Sequence, residues 1–247
     1  MGILLLAHCK KAEHIYNDNM TTQDTLGIIF DFNGVIIDDY TLQKEAWSQI
    51  SLILRDRPVT DEEMVNDIRG VPANDTIVWM SAENLSPARI KELARQKTSI
   101  VNELFSADPS LRLALGLGRF LDELARQNIP FTIATSQTKD DSTLLFGALG
   151  LSKWFEIERI VYYDGTYPGK PAPDAYILAA RRILLEPKQC VVVEDAISGI
   201  TSAYSAGVQN IVAIGRDKQL KKLATFPGVV KTIHDFTELN VDEIIRR

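Results

Sequence analysis

Short apolar runs alternate with longer amphipathic stretches from residue 27 onward, and this alternation constrains the fold more than any other feature. The runs span residues 27–32, 130–135, 159–163, 189–193, 210–214 and 229–233. Apolar runs of this length, separated by segments of helical periodicity, are typical of parallel strands that helices cover on both faces. The sequence therefore predicts an open α/β domain with a parallel sheet.

The segment from residue 42 to 116 interrupts this alternation. Apolar residues recur at helical spacing over 43–54, 61–69, 74–82 and 87–105, and Ser86-Pro87 suits the N-cap and first position of a helix. An ordinary crossover between parallel strands needs only about 10 to 15 residues. We therefore predict a helical cap domain at 42–116, inserted into an α/β core formed by 27–41 and 117–247.

Composition and residue positions exclude several classes of function. The chain has 247 residues, 45% of them hydrophobic, and no uninterrupted apolar stretch of membrane-spanning length. Its net charge of −6 provides no overall basic field for nucleic acid. The three histidines, His8, His14 and His234, all lie near the termini, so they do not suggest a central histidine base. We expect no nucleic-acid or membrane partner.

Two further expectations concern the start of the chain and its compartment. Residues 1–26 are interpreted as an N-terminal extension, because their short apolar run lacks a preceding basic residue and a good cleavage site. The two cysteines, Cys9 and Cys190, cannot form a disulfide framework. This composition suits the cytoplasm, and we expect a monomer or a weak dimer there.

Polar residues that could take part in catalysis or ligand binding follow several of the predicted strands. They are Asp31 after the first, Thr135 and Ser136 after the second, Glu194 and Asp195 after the fourth, and Lys170 in the preceding loop GKPAPD. Each has an alternative role, as a turn or helix cap, a strand end or a solvated loop. Because the carboxyl ends of parallel strands meet at one sheet edge, where ligands bind, we expect these residues to form one site.

These residue types suit phosphoryl transfer. Three carboxylates, Asp31, Glu194 and Asp195, provide the oxygen ligands that Mg²⁺ prefers, and a cation would offset their mutual repulsion. Lys170 and the hydroxyl groups at 135 and 136 would hold phosphate oxygens. The residues therefore indicate a reaction through an aspartyl phosphate.

The order of these motifs, with the phrases GKPAPD and VVVEDAISGI, resembles the haloacid dehalogenase-like hydrolases. The resemblance is to the helical-cap branch that includes β-phosphoglucomutase and related phosphatases, and it implies a Rossmann-like doubly wound core. It implies that Asp31 is the nucleophile and a Mg²⁺ ligand, and that Asn33 contributes its backbone carbonyl to the metal. By the same resemblance, the remaining residues hold the phosphoryl group (Thr135, Ser136 and Lys170) or complete the metal site (Glu194 and Asp195).

The sequence departs from this family at three positions. The phosphatases carry an aspartate two residues after the nucleophile as general acid and base, and this chain has Asn33 there. An amide cannot exchange a proton at neutral pH, so Asn33 cannot supply general acid and base catalysis, which contributes a factor of about 10² to 10⁴ to the rate. The mutases' cap histidine and specificity-loop arginine align with Gln43 and Ala73, which disfavours their sugar-phosphate recognition. We predict that Arg69 and Asn74 contact the substrate instead.

Three interpretations follow from these observations. The favoured one is a Mg²⁺-dependent phosphatase acting on a small phosphorylated metabolite. The second is a phospho-ligand binding or regulatory protein whose catalysis is impaired by Asn33. The third is that the asparagine was introduced to trap a phosphoenzyme or substrate complex.

Overall fold

The computed structural model describes residues 26–108 and 112–245 and contains a five-stranded parallel sheet. Its strands are β1 (Gly27–Phe30), β2 (Phe131–Ile133), β3 (Cys190–Glu194), β4 (Asn210–Ile214) and β5 (Val229–Ile233). The strand order is β2-β1-β3-β4-β5, so the order reverses at β1. The expected α/β fold with a doubly wound parallel sheet is confirmed.

One predicted strand is wrong. Residues 159–163 do not form a strand, because a 3₁₀ turn at Ile157–Arg159 occupies the beginning of the run. Val161 alone makes a bridge to Ala134. The next residues then turn away, with the amide of Tyr163 donating to the carbonyl of Gln137. The run is apolar because Ile160 and Val161 are buried, and Val161 joins the edge of the sheet by a single bridge rather than as a strand.

Helices cover both faces of the sheet. One face packs against α5 (Leu117–Arg126), α6 (Lys139–Ala148) and α10 (Val241–Ile245). The other packs against α7 (Asp174–Arg182), α8 (Ile197–Ser205) and α9 (Asp217–Leu223). Alternate residues of β1 therefore enter different cores: Ile28 and Phe30 join the first, and Ile29 joins the second. Burial on both faces explains the continuous apolar runs.

In the described residues between β1 and α5, the chain forms four helical segments. They are α1 (Tyr40–Arg55), α2 (Asp61–Glu63) with a π-helical turn at Met64–Ile68, α3 (Ala73–Met80) and α4 (Pro87–Ala107). Ser86 caps α4 by accepting a hydrogen bond from the amide of Arg89, and Pro87 occupies its first turn, as predicted. These inserted helices bury a separate apolar cluster that includes Trp47, Met64, Ile77 and Leu93.

Two further sequence expectations concern the start of the chain and membrane-spanning segments. The predicted N-terminal extension, residues 1–26, lies outside the described residues except for Leu26. Within the described ranges, no helix combines the length and apolar character needed to span a bilayer.

Candidate active site

Three buried carboxylates meet at the carboxyl ends of β1 and β3. Asp31 directly follows β1, Glu194 ends β3, and Asp195 follows it. Because Phe30 pairs with Val193 in the parallel register, the next residues of both strands become neighbours. Ligand oxygens of the three side chains all lie within 4.8 Å of one another. This oxygen-rich donor set fits a hard divalent cation such as Mg²⁺.

Lys170 is buried among these carboxylates. Four acceptors share the three hydrogens of its Nζ: Asp31 Oδ1 at 2.6 Å, Glu194 Oε1 at 2.8 Å, the Tyr176 hydroxyl at 3.0 Å and the Ala134 carbonyl at 3.1 Å. Burial opposes its charge, but the two carboxylates outweigh this effect and raise the pKa of Lys170. Lys170 is therefore held as an ammonium beside the oxygen of Asp31.

Burial raises the pKa of Asp31 to about 7, although the ammonium of Lys170 acts in the opposite direction and the charge of Glu194 adds to the rise. Tyr176, on α7, donates its hydroxyl hydrogen to Glu194 Oε1 at 2.7 Å. Sequence reasoning missed Tyr176, since a tyrosine on an apolar helix face gives no distinctive signal. A cation at this site would stabilise the charged form of each carboxylate.

Two glycines allow this close packing of carboxylates. Gly34 has a φ of 79°, and a β-carbon there would overlap the carboxylate of Asp195. A β-carbon on Gly199 would overlap the carboxylate of Glu194. The second oxygen of Glu194, Oε2, accepts hydrogen bonds from the backbone amides of Asp195 and Ala196, both at 2.8 Å. The first turn of α8 and its preceding loop therefore fix the orientation of Glu194.

The predicted hydroxyl residues lie at the same edge. Thr135 is buried and, with Ser136 and Asp31, lines the main cavity of the site. Its Oγ1 accepts a hydrogen bond from the amide of Gln137 at 3.1 Å. Ser136 Oγ donates to the carbonyl of Gly70 at 2.6 Å, which links the core to the loop before α3.

Arg69 reaches the site, whereas Asn74 does not. The guanidinium of Arg69 forms an ion pair with Asp195 and lies over the ring of Tyr40, 5.3 Å from its centroid. Burial lowers the pKa of Arg69. Asn74 is exposed in the first turn of α3, and the neighbouring Ala73 lines the cavity in its place. The contact of Asn74 with substrate stays a prediction without geometric support.

Asn33 is joined to a carboxylate that sequence reasoning missed. Its Nδ2 donates to Asp39 Oδ2 at 2.6 Å, and Nε2 of Gln43 donates to the same oxygen at 2.7 Å. Asp39 has only 3% of its surface exposed, yet it lines the cavity with Asp31 and Asn33. Burial raises its pKa, although the two hydrogen bonds oppose the rise. The sequence signal that could have identified Asp39 is an acidic residue shortly after the end of the first strand.

The inserted helices provide a second polar group to this cavity. Nζ of Lys97, on α4, donates to Gln43 Oε1 at 2.5 Å and lies 5.2 Å from the centroid of the Trp47 ring. Asp31 and Asp195 of the carboxylate triad (Asp31, Glu194 and Asp195) line this cavity, and inserted-helix residues form another part of its wall. That part of the wall consists of Gln43, Trp47, Met64, Ile68, Lys97, Thr98 and Val101.

Comparison with known proteins defines the class to which this fold and site belong. The model of the family described as haloacid dehalogenase-like hydrolase matches residues 28–213. The chain belongs to this family, and it is an enzyme of the hydrolase and phosphatase class. The resemblance inferred from its motifs is confirmed.

Individual relatives are similar over most of their length. A phosphorylated carbohydrates phosphatase from Thermotoga maritima is 28% identical over 218 residues, covering 87% of this chain and 96% of the relative. A β-phosphoglucomutase from Bacillus subtilis is 29% identical, covering 73% and 80% respectively. The crystal structure of a family IA, variant 3 hydrolase from Entamoeba histolytica superposes with a TM-score of 0.80 at 30% identity, covering 90% of this chain and 98% of that one.

Proposed function

We propose that this enzyme is a Mg²⁺-dependent phosphatase that hydrolyses a small phosphorylated metabolite through an aspartyl phosphate. The observation that carries this proposal is the position of Asp31: it is buried at a strand end, accepts a hydrogen bond from Lys170 and lies beside the carboxylates of Glu194 and Asp195. The similarity to a phosphatase of phosphorylated carbohydrates supports the same class of reaction. We place the enzyme in the cytoplasm as a monomer or weak dimer.

The proposed metal ligands are the side chains of Asp31, Glu194 and Asp195 and the backbone carbonyl of Asn33. The donor set is entirely oxygen, which matches the preference of Mg²⁺. When bound, Mg²⁺ would neutralise charge on the carboxylates and the phosphate and so permit the approach of one anion to another.

The proposed reaction has two displacements at phosphorus. In the first, a carboxylate oxygen of Asp31 attacks phosphorus while the bond to the substrate oxygen breaks and that oxygen takes up a proton. In the second, water attacks the aspartyl phosphate, the bond between phosphorus and Asp31 breaks, and the water gives up a proton. The products are an alcohol and inorganic phosphate. Lys170, Thr135 and Ser136 hold the phosphoryl oxygens through both displacements.

We propose that Asp39 donates the proton to the leaving oxygen in the first displacement and accepts the proton from water in the second. Asn33 occupies the family's acid position but cannot exchange a proton, while the Asp39 carboxyl group lies 2.6 Å from its amide nitrogen. Burial favours the protonated form of Asp39, as a general acid requires. Asn33 would then orient Asp39 by its hydrogen bond.

The inserted helices are proposed to act as the cap domain, residues 42–116, over an α/β core of 27–41 and 117–247. Gly70 and Arg69 contact Ser136 and Asp195 of the core, so the loop before α3 closes over the carboxylate triad. Closure excludes water and strengthens the electrostatic interactions inside the site. Arg69 is the proposed substrate contact of this cap that lines the site, and Asn74 stays a prediction from the sequence.

Asn33 also supports a second candidate function. If Asp39 does not transfer protons, the chain would bind a phosphorylated ligand with negligible hydrolysis, as a regulatory protein or as a trapping variant. Calorimetry with Mg²⁺ and phosphorylated metabolites separates the two candidates, because only the second requires tight binding without turnover.

The decisive experiment measures phosphate release across a panel of phosphorylated metabolites, with and without Mg²⁺. The wild-type chain is compared with Asn33→Asp and with Asp31→Asn, which removes the nucleophile. We expect Mg²⁺-dependent release by the wild-type chain and none by Asp31→Asn. Absence of turnover by the wild-type chain, together with turnover by Asn33→Asp, would exclude phosphatase activity for the natural sequence.

A further inference from the structure

Lys97 is a buried cation in the wall of the cavity that Asp31 also lines. Only 8% of its surface is exposed, and its hydrogen-bond acceptor is the neutral amide oxygen of Gln43, at 2.5 Å. Among the residues that the structure describes, no carboxylate forms an ion pair with it. Buried ammonium groups are normally paired with an anion, because burial removes the hydration that stabilises their charge.

The charged groups that face Lys97 are already engaged by other partners. Asp39 accepts hydrogen bonds from Asn33 and Gln43, and Asp141 on α6 accepts one from Thr98 at 2.8 Å. Both carboxylates act on Lys97 only through space. Within the described ranges, the protein therefore provides no direct counter-ion for this ammonium, and Gln43 is its one hydrogen-bond acceptor there.

The position of Lys97 relative to Asp31 decides what that ligand could be. Both residues line the same cavity, and Asp31 is the proposed site of phosphoryl transfer. A phosphate monoester bound at Asp31 would extend its remaining part toward the inserted helices. Trp47, Met64 and Val101 provide apolar contacts along that wall, and Lys97 is a cation within it.

We propose that Lys97 binds a second anionic group, a carboxylate, of the substrate that is hydrolysed at Asp31. This inference rests on the proposed phosphatase function and narrows its substrates to phosphate monoesters with an acidic group at the opposite end. The carboxylate of the ligand would then be the counter-ion of the Lys97 ammonium. Charge-assisted hydrogen bonds of this kind discriminate strongly against a neutral analogue, since the analogue leaves the ammonium buried and unpaired.

The test compares binding of matched ligands at two chain lengths: 3-phosphoglycerate against glycerol 3-phosphate, and 6-phosphogluconate against sorbitol 6-phosphate. Each pair differs by a carboxylate in place of a hydroxymethyl group. Calorimetry with Mg²⁺ uses Asp31→Asn, which cannot turn the ligand over, and the double variant Asp31→Asn with Lys97→Gln. We expect at least one carboxylate to bind about 10-fold more tightly than its neutral partner.

The double variant should lose that preference while keeping its affinity for the neutral ligand within about threefold. Lys97→Arg should retain the preference, which separates loss of charge from a defect in folding. Equal affinity within both pairs, or a preference that survives Lys97→Gln, would overturn the proposal. Hydrolysis of p-nitrophenyl phosphate by the wild-type chain tests the phosphatase function separately, because this substrate carries no second anionic group.

Discussion

The most informative perturbation is Asp39→Asn, because it removes a proton-transfer group while retaining the size of the side chain and its hydrogen bonds. The two donors, Asn33 Nδ2 and Gln43 Nε2, both bond Oδ2 of Asp39, at 2.6 and 2.7 Å. An asparagine at this position can place its carbonyl oxygen where Oδ2 lies and keep both hydrogen bonds. The substitution therefore preserves the local geometry and removes the exchangeable proton.

The expected loss follows from the role of a general acid. Proton transfer by a positioned side chain contributes a factor of about 10² to 10⁴, equivalent to about 3 to 5 kcal/mol of activation free energy. An aliphatic phosphate monoester needs that proton on its leaving oxygen, whereas p-nitrophenyl phosphate releases a stable anion without it. We expect kcat/KM to fall by about 10² to 10⁴ on the aliphatic substrate and by less than about 10 on p-nitrophenyl phosphate.

The assay uses kcat/KM because this constant reports the first displacement, in which the leaving group departs. Asp38→Asn is the matched control: it removes the adjacent carboxylate, whose side chain is 65% exposed and paired with Arg216 at the surface. That control should leave both substrates nearly unchanged. An equal fall on both substrates after Asp39→Asn would assign Asp39 a structural role, and no fall on either would refute the reasoning entirely.

Three further expectations concern packing, pH and stability. Gly199→Ala should lower Mg²⁺-dependent phosphatase activity by more than about 10-fold, because the added β-carbon would overlap the carboxylate of Glu194. Gly147→Ala is the control, because a β-carbon there meets open space, and it should leave the activity unchanged. Equal activities of the two variants would contradict this packing argument. Burial lowers the pKa of Lys97 to about 8, so its preference for the carboxylate ligands should weaken as the pH rises from 7 to 9 and its protonated fraction falls from about 90% to about 10%. The Lys97→Gln variant should show no such change in calorimetry, and a pH-independent preference in the parent chain would contradict the assignment. Ser86→Ala removes the N-cap of α4 and should cost about 1 kcal/mol, seen as a fall of about 2 to 4 °C in Tm by calorimetry; an unchanged Tm would show that the cap adds nothing.

The amino-acid sequence alone was sufficient for the fold class and for the residues that meet at the sheet edge. Burial on both faces imposes continuous apolar runs on β1, β3 and β4, and parallel pairing places the residues after those runs together. Asp31, Glu194 and Asp195 could be brought together on this reasoning because each follows its strand directly or ends it. The same reasoning failed at 159–163, where two buried residues, attached to the sheet edge by a single bridge, produced an apolar run like that of a strand.

Tertiary structure decided which groups surround those residues, because contacts between distant elements leave no periodic trace in the sequence. Tyr176 and Lys97 reach the site from α7 and α4, where each has the spacing of an ordinary helix residue. Asp39 could not be connected with Asn33 from the sequence, since their hydrogen bond depends on how the chain turns between β1 and α1. The motifs thus indicated a carboxylate site for phosphoryl transfer, while only the folded chain showed the carboxyl group of Asp39 beside Asn33 and the buried cation of Lys97 in the wall of the same cavity.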